Sequence, residues 1–111
     1  MLLFIYPHII RQYTSAEYPF NCDFYDEETN TYFEYNGSWV HGGHFYDCTN
    51  INDVNKANMW KAKHTAYYDT AYDVWTNRDL LKYNTALSAH LNYVVFWNIN
   101  DVMNFVLKKF N

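Results

Sequence analysis

Glycine, proline and cysteine are all scarce in this 111-residue chain, which contains three, two and two of them. Half of the residues are hydrophobic and 22% are aromatic, with Tyr the commonest aromatic, which excludes the composition of a disordered protein. The two cysteines, Cys22 and Cys48, need not pair. The length and the apolar content predict one folded domain, residues 1–111, with a modest core.

Long apolar runs are also missing from the sequence. None approaches the ~18–20 residues that span a bilayer, so we expect no membrane partner. The apolar start, Met1 to Tyr6, stops at Pro7 without a basic lead or a small-residue cleavage site, which indicates no secretory signal. The expected location is the cytoplasm, that of the host cell if the chain is phage-encoded.

Basic residues are few, and this bears on nucleic-acid binding. Eight Lys and Arg stand against twelve Asp and Glu, giving a formal charge of −4. Phosphate contacts normally require Lys and Arg, so the net charge counts against DNA binding without excluding it. Most of the bases lie in the second half of the chain, whereas the acids crowd the segment from Asp23 to Glu34.

This acidic segment predicts a β-hairpin with a carboxylate on each strand. The apolar run that contains Asp23 and the run from Thr31 to Asn36 that contains Glu34 flank a turn-forming stretch, Asp26 to Asn30. Facing side chains on adjacent strands approach to about 5 Å. Two carboxylates at that distance repel unless a proton or a cation lies between them, and Mg²⁺ accepts such a pair. The alternative interpretation is a surface hairpin with ordinary solvated acids.

The remaining elements predict an α/β fold, a mixed sheet flanked by helices in the order β-β-β-α-α-β-α. Apolar residues recur at helical spacing from Asn52 to Val74, with an interruption near His64. Asn52 or Asp53 is the expected N-cap there, and Thr76, with the acid Asp79 three residues later as its capping partner, has the form of an N-cap for the next helix. The other predicted elements are a strand at residues 8–13, a strand buried on both faces at residues 93–97, and a last helix at residues 102–110.

Taken in this order, the residues resemble a known family. The similarity is carried by residues 21–25 (NCDFY), 32–44 (YFEYNGSWVHGGH), 74–79 (VWTNRD) and 91–97 (LNYVVFW). From about Ile9 onward, the chain is similar to phage-encoded homing and free-standing endonucleases of the PD-(D/E)xK superfamily. The branch it resembles is the one related to the very-short-patch-repair endonuclease.

The resemblance implies a restriction-endonuclease-like core that hydrolyses phosphodiester bonds in double-stranded DNA with Mg²⁺, for which Mn²⁺ can substitute. It assigns Asp23 as the metal-binding aspartate and Glu34 as the second acid. Asn36 stands where the superfamily usually has Lys, and His41 and His44 fall in the segment that carries catalytic and structural histidines. The family's opening helix has almost no counterpart before Ile9, which suggests an N-terminally truncated relative.

Other residues are candidates for contacts with DNA or a metal. Trp39, beside the acidic hairpin, is the tryptophan expected to touch DNA. The expected phosphate contacts are Lys56, Lys61, Lys63, Arg78 and Lys82; the alternative for these is a solvated helix face. A structural Zn²⁺ held by His41, His44 and Cys48, with His64 or Cys22 as a further ligand, is the less favoured interpretation, because four ligands are not evident in one run.

Two alternatives to a monomeric nuclease stay open at this point. A chain without the usual lysine and opening helix suits a catalytically inactive binding protein, such as a phage inhibitor that engages a host protein through an acidic, Tyr-rich face. A homodimer in which the neighbouring chain supplies the missing helix is the other.

Overall fold

The acidic turn closes a β-hairpin, as the sequence predicts. The computed structural model describes residues 5–110, the last of them by its backbone only. Strands β2 (Cys22–Asp26) and β3 (Thr31–Tyr35) pair antiparallel, with Phe24 opposite Phe33. The ends of each strand lie within two residues of the predicted ends.

A four-stranded mixed sheet is built on this hairpin. Strand β1 (Ile10–Tyr13) pairs antiparallel with β2, and β4 (Asn92–Phe96) pairs parallel with β3, giving the order β1-β2-β3-β4. The α/β class with a mixed sheet flanked by helices is therefore confirmed. The prediction that the fourth strand is buried on both faces is wrong, because β4 lies at the edge of the sheet and only Phe96 is buried in it.

Helices follow the sheet strands at bounds that differ from the predicted ones. The helices are α1 (Ile51–Lys61), α2 (Ala66–Asp73), α3 (Asp79–Ser88) and α4 (Ile99–Phe110). Residues 62–65 separate α1 from α2, which confirms the predicted interruption near His64. A π-helical turn, Val74–Arg78, joins α2 to α3 without a break.

Both predicted N-caps are misplaced. Asn50 caps α1, since its side chain accepts hydrogen bonds from the backbone N–H groups of Asn52 and Asp53. Thr76 starts no helix: it lies inside the π turn, and its hydroxyl donates to the carbonyl of Tyr72. A hydroxyl that bonds to the carbonyl four residues earlier is a known alternative to capping for Thr within a helix.

The chain divides into two compact units. The first, here called the sheet unit, comprises the described residues up to Gly37 and from Tyr83 onward. The second, called the helical unit, is Ser38–Lys82. A single domain over residues 1–111 stays a prediction.

The sheet unit has a different aromatic composition on each face of its sheet. One face packs Phe33 and Phe96 against Val102 and Phe105 of α4. On the other face, a group of tyrosines packs with Ala86 of α3, and these tyrosines are Tyr13, Tyr18, Tyr25, Tyr32 and Tyr93. The alternation of Phe and Tyr along β2 and β3 produces this division, because successive side chains point to opposite faces.

The helical unit has its own core, formed by Ala57, Trp60, Ala71 and Trp75. Trp75 is fully buried, and its indole N–H donates to the carbonyl of His44. Gly42 ends a short 3₁₀ turn, Trp39–His41, at φ 70°, where an added Cβ would lie 2.1 Å from the Trp75 ring. Only glycine fits this position.

Asn and His occupy left-handed backbone positions elsewhere in this glycine-poor chain. Asn30 in the hairpin turn has φ 53°, and its side chain accepts a hydrogen bond from the Tyr25 hydroxyl. His64, between α1 and α2, and His90, after α3, both have φ 55°. Asn and His are among the residues that enter this region most readily after glycine.

None of the helices in residues 5–110 is long and apolar enough to cross a membrane. The prediction about a secretory signal concerns in part residues 1–4, and these lie outside the described residues.

Candidate functional site

Asp23 and Glu34 lie on neighbouring strands at one end of the hairpin, and the carboxylate of each accepts a backbone N–H from the other strand. The backbone N–H of Asp23 donates to Oε1 of Glu34 at 3.0 Å, and the backbone N–H of Tyr35 donates to Oδ2 of Asp23 at 2.8 Å. Each carboxylate therefore accepts an N–H from the opposite strand, just beyond the Phe24–Phe33 pair of the ladder. The two strands cannot separate here without breaking both bonds.

Glu34 is a buried acid, 3% exposed, whereas Asp23 is half-buried. The hydroxyl of Tyr18 donates to Oε2 of Glu34 at 2.5 Å and lies 2.9 Å from the Tyr93 hydroxyl. Burial, and then the hydrogen bond to Glu34, raises the pKa of Tyr18, so its hydroxyl keeps its proton and remains a donor. Glu34 is therefore not the solvated surface acid of the alternative interpretation.

Cys22 lies close to this carboxylate pair. Its thiol contacts the carbonyls of Phe24 and Phe33, and it is fully buried. Burial, followed by the charge of Glu34, raises the pKa of the Cys22 thiol to about 12. Both cysteines are free, and Cys48 is exposed.

Asn36 comes directly after β3 and is also buried. Its backbone N–H donates to the carbonyl of Phe96 at 2.7 Å, which extends the parallel pairing of β3 with β4 by one bond. An amide carries no charge at this position, so Asn36 can orient a group only by hydrogen bonding.

His41 forms a His–Asp pair within the helical unit. Its Nδ1 lies 2.7 Å from Oδ2 of Asp79, an acid that is only 4% exposed. A carboxylate on one ring nitrogen fixes the orientation of the imidazole and leaves the other nitrogen, Nε2, for proton transfer. This is the arrangement of a general base that is oriented by an acid.

His44 forms a second His–Asp pair with a different geometry. Its Nε2 lies 2.8 and 2.9 Å from the two carboxylate oxygens of Asp53, which is also 4% exposed. Asp53 further accepts the backbone N–H of Asp47 at 3.0 Å. The pair fastens the loop that follows Gly43 to α1.

The expected DNA-contacting residues all lie in the helical unit. Trp39 is 42% exposed, packs against Trp60 with the two rings nearly perpendicular, and donates its indole N–H to the Tyr67 hydroxyl at 3.2 Å. Lys56 lies over Trp60 and Trp75 and donates to the Gly42 carbonyl, which stabilises the core of the unit. Of the other four, Lys61, Lys63 and Arg78 are exposed and Lys82 is half-buried.

Metal geometry limits the kind of ion site that is available. Within residues 5–110, no three His, Cys, Asp or Glu side chains converge closely enough to hold one ion. Two carboxylates, with water and substrate phosphate completing the shell, are nevertheless what Mg²⁺ usually takes from a protein. The hairpin pair provides hard oxygen donors of that kind, and so it fits this ion.

Sequence reasoning missed three residues that hold the candidates in place. Tyr18 precedes Glu34 by 16 residues, and nothing in its neighbourhood predicts the contact. Asp79 was predicted only as a capping partner and Asp53 only as an N-cap, yet both are buried partners of histidines. The signal was present in the form of two histidines and two acids, but their pairing depends on the fold.

Comparison with models of known protein families, with curated proteins and with solved structures found no match to this chain.

Proposed function

We propose that the chain is a Mg²⁺-dependent DNA endonuclease with a restriction-endonuclease-like core and the phosphodiester bond as its substrate. The observation that supports this most is the pair of bonds between the two strands, Asp23 N–H to the Glu34 carboxylate and Tyr35 N–H to the Asp23 carboxylate, which places both carboxylates at the same end of one hairpin. Carboxylates on facing strands repel each other unless a proton or a cation lies between them, and a divalent cation at the pair would remove that repulsion.

Asp23 and Glu34 are the residues that would hold the ion. Mg²⁺ supplies Lewis-acid polarisation of the scissile phosphate and of the leaving oxygen when it is bound. Tyr18 fixes the rotamer of Glu34 through its short hydrogen bond, and the Tyr35 N–H fixes Asp23. Such outer contacts orient metal-binding carboxylates.

The remaining assignments follow the chemistry of each side chain. Asn36 orients a phosphate or water by hydrogen bonding, and His41, oriented by Asp79, has the form of a general base. The phosphate contacts are assigned to the exposed bases of the helical unit. The helical unit contains five acids and five Lys and Arg residues. Asp53 and Asp79 are buried, so only three of the acids are exposed and the bases outnumber them.

The direct test is nicking of supercoiled plasmid by the full chain with and without Mg²⁺. We expect Asp23→Asn and Glu34→Gln each to slow nicking by about a hundredfold or more, since each removes a charged ligand worth several kcal/mol. After Mg²⁺ has been removed by a chelator, added Mn²⁺ should restore nicking by the wild-type chain. Glu28→Gln is the matched control, because Glu28 is an exposed acid of the same hairpin turn.

Thermal unfolding of each variant separates loss of the site from loss of the fold. Nicking that persists in both Asp23→Asn and Glu34→Gln, at wild-type melting temperature, contradicts the proposal.

The distribution of charge favours a second candidate function, a catalytically inactive nuclease-fold protein that binds a host protein. Seven acids and three bases lie in the sheet unit and five of each lie in the helical unit, so the whole net charge of −4 belongs to the sheet unit. An acidic surface complements a protein that itself binds DNA, whereas the tyrosines expected on that face, Tyr18, Tyr25 and Tyr32, are buried. Binding to a host protein in a pull-down, without a DNA gel shift at low salt, distinguishes this candidate from the nuclease.

A further inference from the structure

Two exposed aromatic side chains contact each other on the surface of the helical unit. Among the side chains that the structure describes, the exposed Phe, Tyr and Trp residues are Tyr35, Trp39 and Tyr67. Trp39 is 42% and Tyr67 64% exposed, and their ring centres lie 5.3 Å apart. Tyr68 is half-buried and contacts both rings. Trp39, Tyr67 and Tyr68 are here called the aromatic surface.

The rings of the aromatic surface have a rigid support. Trp39 packs against Trp60, which packs in turn against the fully buried Trp75. The indole N–H of Trp39 donates to the Tyr67 hydroxyl, so the one polar group of Trp39 already has a partner. What Trp39 can offer a ligand is therefore its ring. A ring that is fixed before binding loses little conformational freedom when a ligand stacks on it.

The spacing of the rings limits what can bind to them. Trp60 and the three rings of the aromatic surface have centres 5.2–5.9 Å from those of their neighbours. This is the distance of direct aromatic contact, and a cation has no space between rings so close together. The arrangement is therefore not an aromatic cage for an ammonium group. It suits a flat group that lies against its outer side.

Positive charge borders the aromatic surface. The ammonium group of Lys63 lies 5.7 Å from the centre of the Tyr68 ring. That of Lys61 lies 5.3 Å from the centre of the Tyr72 ring, about one turn further along α2. Both lysines are exposed. They provide the charge that a phosphate group requires beside a stacked base.

The exposed acids of α2, Asp69 and Asp73, lie on another side of the helix. Each residue of an α-helix advances by about 100° around the axis. Asp69 and Asp73 are therefore about 100° or more around α2 from both Tyr67 and Tyr68. Lys63, rather than either acid, borders the rings.

We propose that the aromatic surface binds single-stranded DNA, with unpaired bases stacked on Trp39 and Tyr67 and neighbouring phosphates held by Lys61 and Lys63. Ring surface combined with positive charge is what proteins use to bind single strands. The bases of a duplex stack on one another and are not free to stack on a side chain. The indole N–H is engaged with Tyr67 and is not available to the 2′-hydroxyl by which proteins distinguish RNA, so the strand is taken as DNA. Such binding needs neither Mg²⁺ nor the carboxylate pair, so it goes beyond the proposed nuclease activity.

The test is fluorescence anisotropy of the full chain with a labelled strand of about 12 thymidines, a length within the range that such sites cover. EDTA is present throughout, so a failure of the nuclease leaves the result unaffected. We expect the wild-type chain at low salt to bind this strand at least about fivefold more tightly than a duplex of the same length. Trp39→Leu and Tyr67→Leu should each weaken binding by at least about fivefold, the scale of one stacked base. Trp39→Phe keeps a ring and should bind more tightly than Trp39→Leu.

Tyr35→Leu is the matched control, because Tyr35 has the same exposed fraction as Trp39 but lies in the sheet unit. It should bind the strand like wild type. Tyr67→Leu keeps the test decisive if the melting temperature shows that Trp39→Leu does not fold, since Tyr67 is the more exposed of the two. Four results overturn the proposal: no binding of the thymidine strand up to about 100 µM protein, equal binding of strand and duplex, tighter binding of a uridine strand than of the thymidine strand, or a folded Tyr67→Leu that binds like wild type.

Discussion

Glu34 illustrates what the buried polar residues of this chain have in common. It has lost contact with water, and its oxygens accept hydrogen bonds from the Tyr18 hydroxyl and the Asp23 N–H. A buried carboxylate without such donors costs several kcal/mol, so these bonds are required for the fold as well as for the proposed site. Asp53 and Asp79 satisfy the same requirement with histidines.

The two cysteines should differ strongly in reactivity. The pKa of Cys22 is raised to about 12, and at pH 8 a rise of this size lowers its thiolate fraction by about a thousandfold. A thiol reagent at pH 8 should therefore modify Cys48 at once and Cys22 only on unfolding. Counting fast and slow thiols by mass spectrometry, with Cys48→Ser as the control, checks this.

The same shift gives a pH dependence of stability. A pKa that is higher in the folded state means that the folded chain holds the proton more tightly. The stabilisation is fully present below the ordinary thiol pKa and is lost as the pH rises toward about 12. Cys22→Ala should remove this part of the alkaline loss, and a wild-type melting temperature that falls no faster than that of the variant contradicts the expectation.

At residue level, the sequence predicts the part of the candidate site that depends on local order. The placement of Asp23 and Glu34 on facing strands is predictable because two short runs and a turn fix the register of a hairpin. Tyr18, Asp53 and Asp79 were not found in their roles, because their contacts are made by folding rather than by spacing along one strand or helix.

At the level of elements, helix ends in this chain use residues other than glycine. His90 follows α3 at φ 55°, and the next N–H, that of Leu91, donates back to the carbonyl of Ala86. This is the position that glycine occupies at many helix ends. A non-glycine residue there has a steric cost, because its Cβ is crowded in the left-handed conformation.

His90→Gly should therefore stabilise the chain. Relief of the left-handed strain exceeds the extra entropy that glycine brings to the unfolded chain, and we expect a gain of about 0.5–1 kcal/mol in the free energy of unfolding. Ala89→Gly is the matched control and should destabilise, since Ala89 has no positive φ. Urea unfolding of both variants provides the measurement; a loss of stability in His90→Gly is the contrary result.

Element types were predictable here, whereas helix boundaries were less so. Alternating and continuous apolar runs identified the strands, and the break near His64 was visible as an interruption of helical spacing. The junction at Thr76 was placed wrongly because a hydroxyl three residues before an acid is typical of a cap. In the structure that hydroxyl bonds backward to Tyr72, and the helix continues through a π turn.

For the whole molecule, the net charge conceals an uneven distribution. The helical unit is neutral in total, but two of its five acids are buried against histidines. Its exposed groups therefore have an excess of bases. A DNA-binding function for this unit is compatible with an acidic chain, which composition alone cannot show.

Removing two of these bases should weaken DNA binding in a salt-dependent way, if the proposed function holds. Lys61 and Lys63 are exposed, and the double variant Lys61→Ala/Lys63→Ala should reduce the slope of log affinity against log salt concentration by about two. Lys109→Ala, an exposed lysine of the sheet unit, should leave the slope unchanged. Fluorescence anisotropy on a short duplex at several salt concentrations measures this, and equal slopes for the double variant and wild type contradict it.

The parallel pairing of β3 with β4 has a consequence for the order of events on the ribosome. Thr31 pairs with Asn92, 61 residues later, and the entire helical unit lies between the two strands in the chain. Joining such distant segments is slow because a long loop must close first. The contacts of α1 with α2 are local by comparison. The middle of the nascent polypeptide should therefore acquire structure before β4, the parallel partner of β3, has been synthesised.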